Sequence, residues 1–162
     1  AVAAGVSTLG DYHGGAIEKC AQMYQDQMEK KSAADLIKEK KEQKKRIPGY
    51  GHKIYKQDPR TIAMLKKAKE LGFYGKYVEY ALEIEKELEA QSGKKLCLNV
   101  DGCIAAVVSE MGFDWKLGKG FFIIPRTVGI VAHVHEEWTR ERPFRRLDEE
   151  EMEYDGVDER TL

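Results

Sequence analysis

The 162-residue sequence predicts an all-α protein. Two observations carry that reading. Apolar residues recur at three- and four-residue spacing through most of the chain, as they do on one face of a helix. Helix-opening and helix-closing residues stand at the ends of those stretches. Openers are Ser32 with Asp35 three residues on, Asp58 before Pro59, and Asn99; closers are Gly10, Gly72 and Ser92-Gly93.

Residues 1–12 are mostly small and apolar and read as a short helix closed by Gly10. His13-Gly14-Gly15-Ala16 leads into a helix from Gly14 to Lys30, with Ile17, Cys20, Ala21, Tyr24 and Met28 on one face. Asp11 as its cap places His13 in the first turn, where the positive end of the helix dipole disfavours the imidazolium. A helix from Ser32 to Lys45 contributes Leu36 and Ile37 to a core, and Ser32 with Asp35 has the form of a capping box. Its charged end, Lys38 to Arg46, is either a solvated face or a basic rim for a phosphate-bearing ligand.

Asp58 to Leu71 forms the next helix, with Ile62, Leu65 and Ala68 inward. Tyr74 to Ala90 follows, with Val78, Ala81, Leu82 and Leu88 on a face that Ile84 misses by one position. Leu96 to Gly112 is an apolar helix opened by Asn99 or Asp101 and buried on most sides, where an aspartate is costly unless paired or used. The hydrophobic link Gly118 to Ile124 reads equally as strand or helix. Pro125-Arg126 then begins a final helix from Thr127 to Arg140, with Val128, Val131, Ala132 and His135 along one side. The acidic tail after Pro143, carrying Tyr154-Asp155-Gly156, is expected to wrap a surface or a partner.

Charged residues make up 34% of the chain, yet the net charge is −1 and the signs are interleaved. That balance speaks against a nucleic-acid partner, which calls for a distinctly basic face. No apolar run nears the ~18 residues of a membrane span, and no signal-peptide pattern is present. Cys20, Cys97 and Cys103 are odd in number and lack zinc spacing, so they read as reduced packing thiols in a cytoplasmic protein. His133 and His135 point to different helix faces, against a metal pair. The opening Ala1-Val2-Ala3-Ala4-Gly5 reads as the middle of a packed helix, so a fragment of a longer chain is expected.

The chemistry gathers around Pro48-Gly49-Tyr50-Gly51-His52 and Asp58-Pro59-Arg60. Glycines on both sides of Tyr50 permit close backbone approach, and Asp58 with Pro59 starts a helix that carries Arg60. His52, Lys56 and Arg60 suit an anionic substrate. With His13 and Asp101 they make two neutral donors and one carboxylate, a set fitted to proton abstraction beside a carbonyl. Arg60, Arg126 and Arg142 suit substrate carboxylates, which a guanidinium fork meets at two points.

Four stretches, in order, resemble signatures of the citrate synthase superfamily. They are His13-Gly14-Gly15-Ala16, Pro48 to His52 with Asp58-Pro59-Arg60, Asn99-Val100-Asp101, and Arg126 followed by Thr127 to His133. Arg142-Pro143 is similar to the arginine-proline near that family's C-terminus. The resemblance runs from the first residues to Arg142 and matches the C-terminal part of the family. It implies a small domain plus the C-terminal helices of the large domain. Residues 1–45 would belong to the large domain, 46–118 to the small CoA-binding domain and 119–162 to the large-domain helix and tail, the family's N-terminal part being absent.

The resemblance also implies roles. Asp101 is the base toward the acetyl-CoA methyl group, and His13 holds the thioester oxygen. His52 serves the oxaloacetate carbonyl or, in reverse, accepts the citryl hydroxyl proton. Arg60 and Arg126 hold carboxylates, with Arg142 reaching in from a neighbouring subunit of a homodimer or homotetramer. The Gly49-Tyr50-Gly51 backbone cradles the CoA adenine, and Arg46 or Lys56 meets its phosphates. CoA is a substrate, with no metal and no tightly bound cofactor. A further substrate-binding histidine of the family lies before His13 and is missing. Gly10-Asp11-Tyr12-His13, Asn99-Val100-Asp101-Gly102 and Ala81 to Lys86 look like the citryl-CoA lyase branch, including the lyase module of ATP-citrate lyase. Citryl-CoA cleavage is therefore the leading expectation. Citrate synthesis is the alternative, and a non-catalytic CoA-binding fragment a third reading.

Overall fold

The computed structural model of the chain describes residues 1–93, 95–144, 148, 150, 153 and 156. The helices are α1 (Val2–Ser7), α2 (Gly15–Gln27), α3 (Ala33–Glu42), α4 (Pro59–Glu70), α5 (Lys76–Ser92), α6 (Val100–Glu110) and α7 (Gly118–Arg140), with a 3₁₀ turn at Trp115–Leu117. Among the described residues there is no strand, and the all-α expectation holds. Tyr154 and Asp155 of the acidic tail lie outside the described residues.

Helix α6 is the centre of the molecule. Its buried residues Gly102, Cys103, Ala105, Ala106 and Val108 are mostly small, so α2, α4 and α5 all pack closely on it. Ile17, Cys20, Ala21 and Tyr24 of α2 face it as the periodicity requires, and Leu36 and Ile37 of α3 join the same core. The three cysteines are free and buried, and burial pushes the Cys20 and Cys103 thiols up to about 12, as packing thiols.

Two inward-facing assignments need correction. Ile84 is fully buried on α5, because the buried stripe runs through Ala81, Ile84 and Leu88 rather than through Leu82. Ile62 points outward, and Thr61 takes the inner position, donating its hydroxyl to the Leu98 carbonyl at 3.0 Å.

The largest departure is α7. The link Gly118 to Ile124 and the final helix are one element of 23 residues, with Pro125 inside it rather than at its start. Proline removes one helical N–H, and Thr127, two residues on, donates its hydroxyl to the Ile123 carbonyl at 2.9 Å. Within the run Trp115–Arg140 an 18-residue window reaches mean hydropathy 1.2, which is long and apolar enough, by length and composition only, to cross a membrane. Reading Pro125 as a helix start divided that run in two and hid its length. Helix α1 lies along α7, whose N-terminal end also meets α2.

Candidate active site

The loop before α4 is fixed from both sides. Gly51 donates its N–H to the Cys97 carbonyl at 2.7 Å, and Asn99 donates its own to Gly49 at 3.0 Å. The Asn99 side-chain amide donates to the Gly51 carbonyl at 3.0 Å. Gly49 has φ of 84°, and a Cβ there would lie 2.7 Å from both the Gly102 Cα and the Cys20 Sγ. Only glycine permits this conformation and this contact together. The Gly-Tyr-Gly backbone expected to cradle an adenine thus has three of its polar groups paired within the protein. The Tyr50 ring points inward, its hydroxyl donating to the Ala81 carbonyl at 2.9 Å.

One cleft of about 420 Å³ brings together five of the expected residues: His13, His52, Arg60, Asp101 and Arg126. His13 does not lie in the first turn of α2. Gly14 is the N-cap, with φ of 110°, and His13 stands just outside, exchanging backbone hydrogen bonds with Gly10 at 3.0 and 3.1 Å. Asp11, the expected cap, instead reaches Lys119 of α7 at 2.7 Å. The His13 ring meets the edge of Phe122 at 5.3 Å between centroids, and the Arg126 guanidinium lies over that same ring at 4.6 Å. Phe122 therefore sets two cleft residues at once.

His52 stacks on Tyr55, and its Nδ1 accepts N–H bonds from Ile54 and Tyr55, each at 3.1 Å. With Nδ1 an acceptor, the proton of the neutral ring is assigned to Nε2. The ring is then a donor, suited to holding a substrate oxygen rather than to removing its proton. Asp101 follows Val100 in the first turn of α6, whose N-cap is Asn99, accepting from Asp101 and Gly102 at 3.1 Å. Burial raises the Asp101 carboxyl above its ordinary range, although Arg60, Arg126 and His13 pull it down.

Arg60 is not a free fork. Its Nε and Nη2 donate to Asp58 at 2.9 and 2.8 Å, so Asp58 occupies the two-point geometry expected for a substrate carboxylate. Half of the Arg60 side chain remains exposed, 52%, to face the cleft. The Arg60 guanidinium and two backbone N–H groups hold the Asp58 carboxyl down at about 2.

A second hollow of about 330 Å³ lies behind the loop, lined by Lys40, Lys41, Lys45 and Arg46 with Ile47, Tyr50 and Leu96 among its apolar walls. Arg46 and Tyr50 are there, with lysines of the α3 end. Lys56 and Arg142 are exposed and line neither hollow, Arg142 lying beyond the end of α7. Sequence reasoning missed Phe122 because it sat in the undecided link, and took Asp58 for a cap alone. Among the described residues no metal-binding cluster occurs.

A donor histidine, a half-buried carboxyl and two arginines in one cleft are the groups that carbon-acid chemistry on an anionic substrate calls for. Residues 1–147 match the family model of the citrate synthase C-terminal domain, and the chain belongs to that family. It is similar to the citryl-CoA lyase from Hydrogenobacter thermophilus, with TM-score 0.90 and 54% identity over 99% of this chain and 64% of that one. The ATP citrate lyase from Methanothrix soehngenii, solved in complex with citrate and coenzyme A, is 27% identical with TM-score 0.75, over 97% of this chain and 28% of that one. Citrate synthase 2 of Bacillus subtilis is 35% identical over 84% of this chain and 37% of its own length. The chain thus spans less than two thirds of each relative.

Proposed function

We propose that the cleft cleaves citryl-CoA to acetyl-CoA and oxaloacetate. Cleavage turns the citryl hydroxyl into a ketone and leaves the carbon–carbon electron pair on the thioester as an enolate. One proton moves, net, from that hydroxyl to the new methyl carbon. Asp101 takes it from the hydroxyl as the carbon–carbon bond breaks and delivers it to the enolate carbon. His13 hydrogen-bonds the enolate oxygen, and His52 donates to the oxygen that becomes the ketone. Arg60 and Arg126 hold the carboxylates, and CoA, as substrate, lays its phosphates toward Arg46 and the lysines of the second hollow. In a homo-oligomer, the exposed Arg142 reaches into the cleft of a neighbouring copy.

The observation that carries this reading is the gathering of His13, His52 and Asp101 with two arginines in one cleft. The lyase direction is favoured by 54% identity to a citryl-CoA lyase, against 35% to a citrate synthase. That second relative keeps citrate synthesis as the alternative. Supplying citryl-CoA and following products separates them: oxaloacetate is the expected product, and citrate as the main product selects the synthase. Failure of CoA-bound protein to exchange acetyl-CoA methyl protons with heavy water selects a non-catalytic CoA-binding role.

A further inference from the structure

The Asp58 carboxylate is fully buried and accepts four hydrogen bonds. Oδ1 takes the Arg60 backbone N–H at 3.0 Å and its Nε at 2.9 Å; Oδ2 takes Arg60 Nη2 at 2.8 Å and the Val100 N–H at 3.0 Å. Capping α4 uses only the first of these. The other three tie the Arg60 guanidinium to the first residue of α6, next to Asp101. A bidentate pair to a buried carboxylate fixes both position and plane of the guanidinium.

We propose that Asp58 is a positioning residue that holds Arg60 and Asp101 in one fixed relation across the cleft. Without it the guanidinium loses its plane and the start of α6 loses an anchor 42 residues away in sequence. The geometric part stands on the bonds alone; its kinetic consequence rests on the cleavage reading above. Displacements of about 1 Å in such a site cost on the order of 10²-fold in rate.

Two variants separate positioning from capping. Asp58→Asn keeps an oxygen for the α4 cap, but its Nδ2 cannot accept from Val100 or from Nη2. Val100→Pro removes only the α6 bond: proline suits the first helical position, and Asn99 is already extended, φ −87° and ψ 174°, as a residue before proline must be. In Asp58→Asn the Val100 amide should exchange with solvent at least about tenfold faster, while global stability exceeds the local opening. The same variant should raise KM for citryl-CoA and lower kcat, each by about tenfold or more. Val100→Pro should lower kcat by about tenfold with KM nearly unchanged.

The pH profile distinguishes the two further. Asp101 is faced by Arg60, Arg126, His13, Cys20 and Asp58. Loss of the Asp58 negative charge moves the acid limb of the rate profile to lower pH in Asp58→Asn, whereas Val100→Pro leaves it in place. A Val100 amide that exchanges at the parent rate in Asp58→Asn overturns the proposal, whether or not the protein turns over citryl-CoA. So does a folded Val100→Pro protein with parental kcat, which also decides the matter if Asp58→Asn does not fold. A parent protein that neither cleaves citryl-CoA nor exchanges acetyl-CoA protons counts against the cleavage reading, and amide exchange then judges Asp58 alone.

Discussion

The hydroxyls of Tyr24 and Tyr50 lie 2.8 Å apart, and the order of donation between them is fixed. Tyr50 gives its one proton to the Ala81 carbonyl, so Tyr24 must donate to Tyr50. Burial pushes both phenols well above their ordinary pKa, so both remain protonated and the chain is permanent at working pH. It ties the loop carrying His52 to α2 on one side and α5 on the other. Tyr50→Phe strands the buried Tyr24 donor and should cost about 1–3 kcal/mol, while Tyr24→Phe should cost about 1 kcal/mol. The double variant should be no worse than Tyr50→Phe alone, since each removes the same bond. Urea unfolding of all four proteins measures this, and strict additivity would contradict the chain.

Gly102 and Gly120 offer opposite outcomes for the same substitution. A Cβ at Gly102 would sit within 2.5 Å of the Gly49 carbonyl oxygen, whereas at Gly120 it meets nothing within 4 Å. Gly102→Ala must push the loop from α6 and should destabilise by about 1–3 kcal/mol. Gly120→Ala, inside α7, should stabilise by about 0.4–1 kcal/mol. Thermal melting should therefore move down for the first and up for the second. A melting temperature that holds or rises in Gly102→Ala would show that close approach of loop and helix is not what Gly102 provides.

Asp58 also gives a stability signature. Its folded pKa, about 2, is below the ordinary carboxyl value, so its stabilisation is fully present above that ordinary value, about 3.9. It is lost as pH falls from there toward 2. The stability difference between parent and Asp58→Asn should accordingly shrink between about pH 5 and about pH 2 and stay flat above. Denaturant midpoints across that range measure it, and curves that run parallel to the acid end rule it out.

Much of this was legible in sequence because it is local. Ser32 does accept from the Asp35 amide, Asp58 does cap α4 before Pro59, and Asn99 does open α6. The α2 stripe Ile17, Cys20, Ala21 and Tyr24 is buried as its spacing requires. What escaped depends on distant pairing. Nothing in the sequence near Asp58 shows that its second oxygen will meet Val100, or that its first will occupy the Arg60 fork. Pro125 was misplaced for the opposite reason. A strong local signal for a helix start was overridden by a hydrophobic run long enough to continue through it. His13 lines the cleft, but its backbone is not in the first turn that an Asp11 cap would require, because Gly14 at φ 110° is the N-cap.

That last displacement sharpens what removal of His13 should do. Standing before the helix rather than in it, the ring owes its position to the Gly10 bonds and to the edge of Phe122. An enolate-holding donor so placed is worth about 2.7–4 kcal/mol of barrier, or about 10²–10³ in kcat, and His13→Ala should lose that amount. Phe122→Ala leaves the imidazole present but unguided, and should lose less. Its effect should fall on kcat for His13 and on KM for Arg126, whose guanidinium shares the ring. Asp101→Asn, lacking the carrier, should abolish acetyl-CoA methyl exchange with heavy water, while His13→Ala should slow it. Exchange rates and citryl-CoA turnover on the three variants decide the assignment. A His13→Ala protein within about threefold of parental turnover falls far short of an oxyanion donor's effect and would remove His13 from that role.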